Sequence, residues 1–502
     1  MAPDPSELQE MMRQSGIDPR RSQEILDLCN DPNYVPPESV QPQEIPGIDG
    51  TTIIDRSALE DFSITNEQYR RQLSDLAPEI DAKRYGTVNE SGLRTLTRKE
   101  LETIGVLLYP YLSYGVLNGG SASSYVDHTK NESFDPELFA LYRETFEKIA
   151  PICEGKPKGI TPAFILPDGS LGPSFLELKF RMLLLEEERY LQIAQQEGVQ
   201  PPAGLSPVRP FFQMTSGTTT APLAEAYTRY HDSPLLRDFA NTPALLSPLS
   251  AEQPRIAAMT HRGDGKPLRF FTHHLDGKPT PLGFPGGHGQ NFLVLREIYQ
   301  SLWDQGKRFV YLGNVDNLGF TVDPVSLALV ALTGGDGGFD FAFRTPVDVK
   351  GGILVRDQKG RLNCADIGPA ISREEMLRYE QEGTPILFNC ATGLFNLTTL
   401  TNQNDTIVRQ LPLRISDQEK DIGRYSQAEQ VTWEVIALLE TPLILGINKY
   451  QRFLAAKMLV ETLLTSGLHR ARARTLQPTI DKLYHGLSHV LATAYHLPEI
   501  LR

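Results

Sequence analysis

Apolar residues recur along this chain in two rhythms that take turns. Helical spacing marks 97–109 (TRKELETIGVLLY, opened by a threonine cap), 136–149, 174–196, 221–231 (APLAEAYTRYH), 290–306 (QNFLVLREIYQSLWDQG) and 324–332 (PVSLALVAL). Between them lie short apolar runs that predict buried strands: YGVLNGG, PFFQMTS, RFVYLGN, FDFAFRT, GGILVRD and TPILFNC. Strands alternating with helices predict an α/β fold with a mixed, mainly parallel sheet covered on both faces. Beyond about residue 411 the spacing predicts helices, among them YSQAEQVTWEVIALLE and TLQPTIDKLYHGLSHVLATAYHL.

This patterning divides the chain into a helical N-terminal arm (1–95), an α/β body (96–410) and a helical C-terminal region (411–502). The proline-rich stretch DPNYVPPESVQPQEIPGIDG suggests that the arm lies along another surface. In parallel sheets ligands bind beyond the carboxyl ends of the strands. LNGG, MTSG, NVDNLG and FNCATG all fall at such ends.

Charge narrows the range of partners. With 49 Lys+Arg against 62 Asp+Glu, the 502-residue chain carries a net charge of -13, which argues against a nucleic-acid or anionic-membrane binder. A phosphate-bearing ligand must then be met by a local positive site. The N-terminus lacks the pattern of a secretory leader and no long apolar run occurs, so a cytoplasmic protein is expected. Four cysteines (Cys29, Cys153, Cys364, Cys390) without CxxC spacing point to reduced, structural thiols rather than a disulfide framework or a zinc site.

Several segments could carry chemistry, and each has a plainer competitor. LNGGSASS (Leu117 to Ser124) ends a strand in two glycines whose backbone N–H groups can cradle phosphate, or it simply turns. In GKPKG, Lys156 or Lys158 can neutralise a polyphosphate, or be a solvated loop lysine. GFPGGHGQ surrounds His288 with glycines that leave room for a flat base, or serves as a glycine turn. His273 and His274 have no third ligand at metal spacing and are assigned to the surface or a strand. Asp316, at the end of the RFVYLGN strand, suits a magnesium ion arriving with a nucleotide, or caps a turn. Lys350 in TPVDVKGGILV and Lys457 in INKYQRFLAAK are further candidate cations, the latter on a helical face near Arg452.

Taken in order, these segments resemble the UDP-sugar pyrophosphorylase family. Leu117 to Gly120 match the start of its LNGG signature, and Pro157-Lys158-Gly159 is similar to the Pro-Lys-Gly that follows. GGHGQ, GNVDNLG, DVKGGILV, LFNCATGLFNL and INKYQRFLAAK resemble five further family segments, so that the likeness spans roughly residues 115–460. The resemblance implies a nucleotide-diphospho-sugar transferase (Rossmann-like) fold and the reaction of UTP with a sugar 1-phosphate to give UDP-sugar and pyrophosphate. Leu117, Asn118, Gly119 and Gly120 would hold uridine and phosphates, and Lys158 would pair with the UTP phosphates. Gly287 would lie against uracil and His288 against the sugar phosphate. Asp316 would bind Mg2+, Asn314 would orient the sugar nucleotide, Asn389 and Asn396 would meet sugar hydroxyls, and Lys457 would be the second phosphate lysine.

Two departures stand out. Ala122 occupies a position where the family has glycine, so its Cβ is expected to crowd the triphosphate, and residues 121–156 form a longer excursion than the family's loop. The uracil-contacting glutamine has Gln253 as its candidate. DVKGGILV and RFLAAK favour glucose 1-phosphate, FFQMTSGTT favours N-acetylglucosamine 1-phosphate, and the altered loop leaves open a non-catalytic sugar-nucleotide-binding protein.

Overall fold

In the computed structural model the described residues are 4–34, 40, 42–275, 278–345, 348, 351–368, 371–420, 422–469 and 477–501. A ten-stranded sheet runs through the molecule. Its main path, from one edge to the other, is Ile53–Asp55, Pro442–Ile447, Gly337–Phe343, Leu387–Asn396, Phe309–Asn314, Leu112–Leu117, Phe211–Ser216 and Leu249–Gln253. All neighbours on this path are parallel except Leu387–Asn396, which is antiparallel to both of its partners. A hairpin of Gly352–Arg356 and Leu362–Asp366 joins it through Ile353 and Phe388.

The apolar runs become strands because both faces of the sheet are covered. Alternate residues of Phe309–Asn314 go to opposite layers: Tyr311 joins a core with Ile104, Leu183 and Leu327, whereas Val310 and Leu312 join another with Leu302, Leu400 and Phe395. Helix Arg98–Leu107 opens on a Thr97–Glu100 capping box, and Phe175–Glu197 on Ser174 and Glu177. The latter stops at Gly198, which takes the left-handed conformation (φ 69°) that ends a helix without a Cβ penalty.

The first two helices pack against the body. Helices Pro5–Gln14 and Pro19–Asn30 bury Met12, Ile25 and Leu26 against Ala257, Ile256 and Leu268, and the Asn30 side chain bonds both backbone groups of Leu268 (2.9 and 2.7 Å). The N-terminal arm is not wholly helical, since Ile53–Asp55 completes the main sheet and Asp61–Thr65 pairs with Leu93–Thr97.

The C-terminal region departs further from expectation. Residues 425–440 are not one helix: Arg414–Lys420 and Gly423–Glu429 form a hairpin, and only Thr432–Leu438 winds, as a 3-10 helix. The run PLILGI is a fully buried strand of the main sheet. Among the described residues that follow, α-helices are Lys449–Arg452, Leu459–Thr465 and the longer Gln477–Thr493. Alternating small-amplitude polarity in RYSQAEQ supports either period, and pairing with Arg414–Lys420 and with Met259–Thr260 selects the strand.

The excursion at 121–156 holds helices His128–Phe134 and Pro136–Cys153. Its two ends are zipped together, Ala122 N–H donating to Lys156 O (2.8 Å) and Lys158 N–H to Gly120 O (3.1 Å). Phe139, Tyr142 and Phe146 pack on Val460, Leu463 and Leu464. All four cysteines are buried thiols. Among the described residues no helix is long and apolar enough to cross a membrane.

Candidate active site

A cavity of about 360 Å³ opens beyond the carboxyl ends of four adjacent strands. Leu117, Met214, Gln253 and Asn314, each the last or a late residue of its strand, contribute to its lining. The glycine loop (Gly119, Gly120), Lys158, Gly287, His288 and Asp316 complete much of the remainder.

Asp316 lies in the turn that follows Phe309–Asn314. Its position is set by Asn317, whose buried side-chain amide donates to Arg452 O (3.1 Å) and accepts from the N–H groups of Gly319 and Leu454 (2.9 Å each). The turn is thereby stitched to the segment that carries Lys457. Beneath it, Lys179 donates to Asn317 O (2.6 Å), and burial pushes its ammonium well below the ordinary lysine range.

Lys158 is brought to Asp316 by the backbone zip at Gly120. The two side chains form an ion pair, are only 14% and 15% exposed, and the ammonium also donates to Ala456 O. It lies 5.1 Å from the Tyr125 ring centroid. These contacts decide between a solvated loop lysine and a site lysine, in favour of the latter. Lys156 remains exposed and absent from the cavity lining.

His288 is half-buried, and its ring is fixed by Thr432. The Thr432 N–H donates to Nδ1 (3.1 Å), and Thr432 Oγ1 lies 2.8 Å from the same nitrogen, a contact whose direction is set by the ring tautomer. Burial, then the charges of Lys457 and Arg414, push the imidazole down to about 4. The glycines around it are needed for close packing. A Cβ on Gly287, whose φ is 81°, would come within 2.3 Å of the Gln430 carbonyl. Gly120, by contrast, faces open space.

Gln253 stands in the cavity wall, with Nε2 donating to Gly287 O (2.7 Å) and Gln290 Oε1 (2.9 Å). Lys457 is exposed, just ahead of helix Leu459–Thr465 rather than on a helical face, and its side chain has no hydrogen-bond partner among the described residues. Arg452, beside it in sequence, is buried and paired with Asp340 (3.0 Å) and Asp323 (3.8 Å), which makes it structural. Lys350 lies outside the described residues.

Lys457 is absent from the cavity lining, and three expected asparagines are elsewhere. Asn118 is buried under the loop, donating to Gln213 Oε1 (3.1 Å), and does not line the cavity. Asn396 faces Phe309 across the antiparallel pair, five residues from Asn314, or ~17 Å at strand rise. There it caps helix Leu397–Gln410 by accepting from Thr398 N–H (3.0 Å), at the opposite end of the sheet. Asn389 is at the correct end but engages Cys364 Sγ (3.4 Å) and Ala391 N–H (2.8 Å) outside the cavity lining. Ala122 does not crowd the cavity, because it is buried in the core of the excursion with Tyr125, Leu138 and Phe139.

Sequence reasoning missed Phe284, Pro285, Gln427 and Glu429, which also line the cavity. The last two lie in the segment assigned to a helix, where a period-two reading would have put them on one face.

The family model described as UTP--glucose-1-phosphate uridylyltransferase matches residues 274–485, which include His288, Asp316 and Lys457. Over that stretch the chain is similar to the UDP-sugar pyrophosphorylase family. It is 26% identical to the UTP--glucose-1-phosphate uridylyltransferase of Hordeum vulgare over 186 residues, 37% of this chain and 39% of that protein. The other curated relatives are matched over smaller shares, so less than two fifths of any of them is spanned. The fold is similar to that of UDP-glucose phosphorylase from Trypanosoma brucei (TM-score 0.55, 18% identity, 91% of this chain and 77% of that one). It is also similar to a putative UDP-N-acetylglucosamine pyrophosphorylase from Entamoeba histolytica (TM-score 0.51, 18% identity, 71% and 79%). Both likenesses concern the fold, a mixed α/β sheet flanked by helices.

Proposed function

We propose that this chain is a UTP-dependent uridylyltransferase that converts UTP and a hexose 1-phosphate to UDP-sugar and pyrophosphate. The observation that carries the reading is the Lys158–Asp316 pair, set beside a glycine loop and a neutral histidine at the ends of parallel strands. A phosphate oxygen of the sugar 1-phosphate attacks the α-phosphorus of UTP. The new P–O bond forms as the bond to the bridging oxygen breaks, and pyrophosphate leaves with that electron pair. Both reactants are anions, so catalysis is charge neutralisation and alignment, with no covalent intermediate on the chain.

The residues divide this work. Backbone at Gly119 and Gly120 meets phosphate oxygens, where the absence of a Cβ allows close approach. An ammonium has three donors; Asp316 and Ala456 engage two of those of Lys158, and the third is available to the triphosphate. His288, neutral near pH 7, offers Nε2–H to the sugar phosphate without competing for a proton. Lys457 brings a second positive charge, Gln253 and Gly287 face the base, and Asn314 orients the sugar nucleotide.

Asp316 fits a magnesium ion carried in on phosphates. It stands alone, since no group of three or more acidic, cysteine or histidine side chains clusters as a metal cage among the described residues. Mg2+ is commonly held by one or two carboxylates together with phosphate oxygens and water. When bound, such an ion supplies positive charge to the triphosphate.

Glucose 1-phosphate is the favoured sugar, supported by the description of the matching family model and of the barley relative. N-acetylglucosamine 1-phosphate is the alternative, supported by the Entamoeba histolytica fold neighbour. The reading of a non-catalytic sugar-nucleotide-binding protein rested on Ala122 and on the long excursion, and it loses the first of these, because the Ala122 methyl is buried in the excursion's core. The test is pyrophosphate release from UTP and Mg2+ with glucose 1-phosphate, N-acetylglucosamine 1-phosphate or galactose 1-phosphate. Release with glucose 1-phosphate is expected. Silence with all three, in protein that binds UDP-sugar, would reject catalysis.

A further inference from the structure

The hairpin Arg414–Lys420/Gly423–Glu429 places two polar side chains in the cavity that the reaction scheme above does not use. Gln427 and Glu429 are two residues apart on one strand and therefore share a face, and both line the cavity. The intervening Ala428 and the preceding Ser426 are buried, Ser426 Oγ donating to Asp417 (2.5 Å). The strand is held firmly at this end. Gln430 N–H donates to Gly286 O (2.9 Å), Gly289 N–H donates to Gln430 O (2.8 Å), and Tyr425 stacks on Phe284 at 5.3 Å.

Glu429 is half-buried, yet neither its carboxylate nor the Gln427 amide has a hydrogen-bond or ion-pair partner among the described residues. The adjacent cation that could have neutralised it is engaged elsewhere. Arg414 is the direct cross-strand partner of Glu429, but its guanidinium goes to Glu434 (2.6 Å) and to Asp366. Arg424 pairs with Asp264 and Glu419, and Arg262 with Asp417. The arrangement leaves a single carboxylate and a single amide free, side by side, facing the cavity.

A free carboxylate repels phosphate and cannot face the triphosphate without cost, since like charges a few ångströms apart disfavour each other. What a carboxylate accepts well is a hydroxyl hydrogen, and an acidic side chain on a ribose diol is a recurrent device of nucleotide sites. An amide two residues away adds both a donor and an acceptor. We propose that Glu429 and Gln427 form a diol-reading wall, Glu429 accepting from one hydroxyl and Gln427 bonding its neighbour, and so contribute to substrate specificity. This rests on the uridylyl-transfer reading. In that reaction vicinal hydroxyls occur on the ribose and on the hexose.

The test is equilibrium binding of UDP, 2′-deoxy-UDP and UDP-glucose by the full chain and by its E429Q and Q427A variants. Hydrogen bonds to a charged acceptor are strong enough that E429Q should lose about 10- to 100-fold for the ligand whose diol it reads. Reading of ribose would appear as a wild-type preference for UDP over 2′-deoxy-UDP that E429Q erases. Reading of hexose would appear as unchanged UDP binding with the loss confined to UDP-glucose. Equal affinities in all three proteins would overturn the proposal and leave the uridylyl-transfer reading intact. Tighter binding of every ligand by E429Q would overturn it too, by showing that the carboxylate faces phosphate. Failure of the wild-type chain to bind UDP or UDP-glucose would overturn both.

Discussion

The ammonium of Lys158 holds the carboxylate of Asp316, although the two lie 158 residues apart in sequence and the 121–156 excursion separates Lys158 from the strand Leu112–Leu117 that neighbours Phe309–Asn314. Each side chain is mostly buried, so each depends on the other for its charge to be tolerated. Asp316→Ala should abolish magnesium-dependent pyrophosphate release, by at least ~100-fold, because it removes the carboxylate paired with Lys158 beside the phosphate loop. The cost in stability should stay near ~1–3 kcal/mol, as the stranded ammonium keeps Ala456 O. Release assays and urea unfolding check the two halves separately, and normal turnover in this variant would refute the assigned role.

How much of this arrangement was legible follows from what each element is buried against. RFVYLGN and FFQMTS read as strands because both faces are covered, and a continuous apolar run has no other use at that length. Asp316 and Lys158 were legible as candidates, but their pairing was not, since a backbone zip at Gly120 brings them together. Asn396 misled because an asparagine at a strand end reads alike whether it lines a site or caps a helix. Only the antiparallel direction of Leu387–Asn396, set by pairing with distant strands, sends it to the opposite end of the sheet.

That correction is testable by itself. Asn396→Ala should cost about 1 kcal/mol through loss of a helix cap and leave the KM for sugar 1-phosphate unchanged. Thermal unfolding and steady-state kinetics on one preparation suffice. A several-fold rise in KM without loss of stability would return Asn396 to the sugar site.

Ala122 provides a second check on placement. Its methyl is fully buried among Tyr125, Leu138 and Phe139, so Ala122→Gly removes packing and loosens the loop backbone. Together these should lower stability by about 1–2 kcal/mol. Affinity for UTP should not improve, whereas relief of crowding at the triphosphate would lower the KM for UTP well beyond twofold.

The last prediction concerns acid. His288 is held at about 4 in the native chain, first by burial and then by Lys457 and Arg414, against an ordinary value of 6.5. Between these values the unfolded chain binds a proton at this position and the native chain does not. Stability contributed by the neutral ring is therefore fully present above pH 6.5 and is lost as pH falls toward 4, with a limiting slope of about 1.4 kcal/mol per pH unit. Unfolding midpoints measured from pH 7 to pH 4 should fall more steeply in the wild type than in His288→Gln, which has no proton to take up. The same shift keeps the Nε2–H donor neutral through pH 5.5, so sugar-phosphate binding should show no titration near 6.5 that His288→Gln removes. Parallel unfolding curves for the two proteins across that range would place the imidazole in water, and with it withdraw the neutral donor from the proposed chemistry.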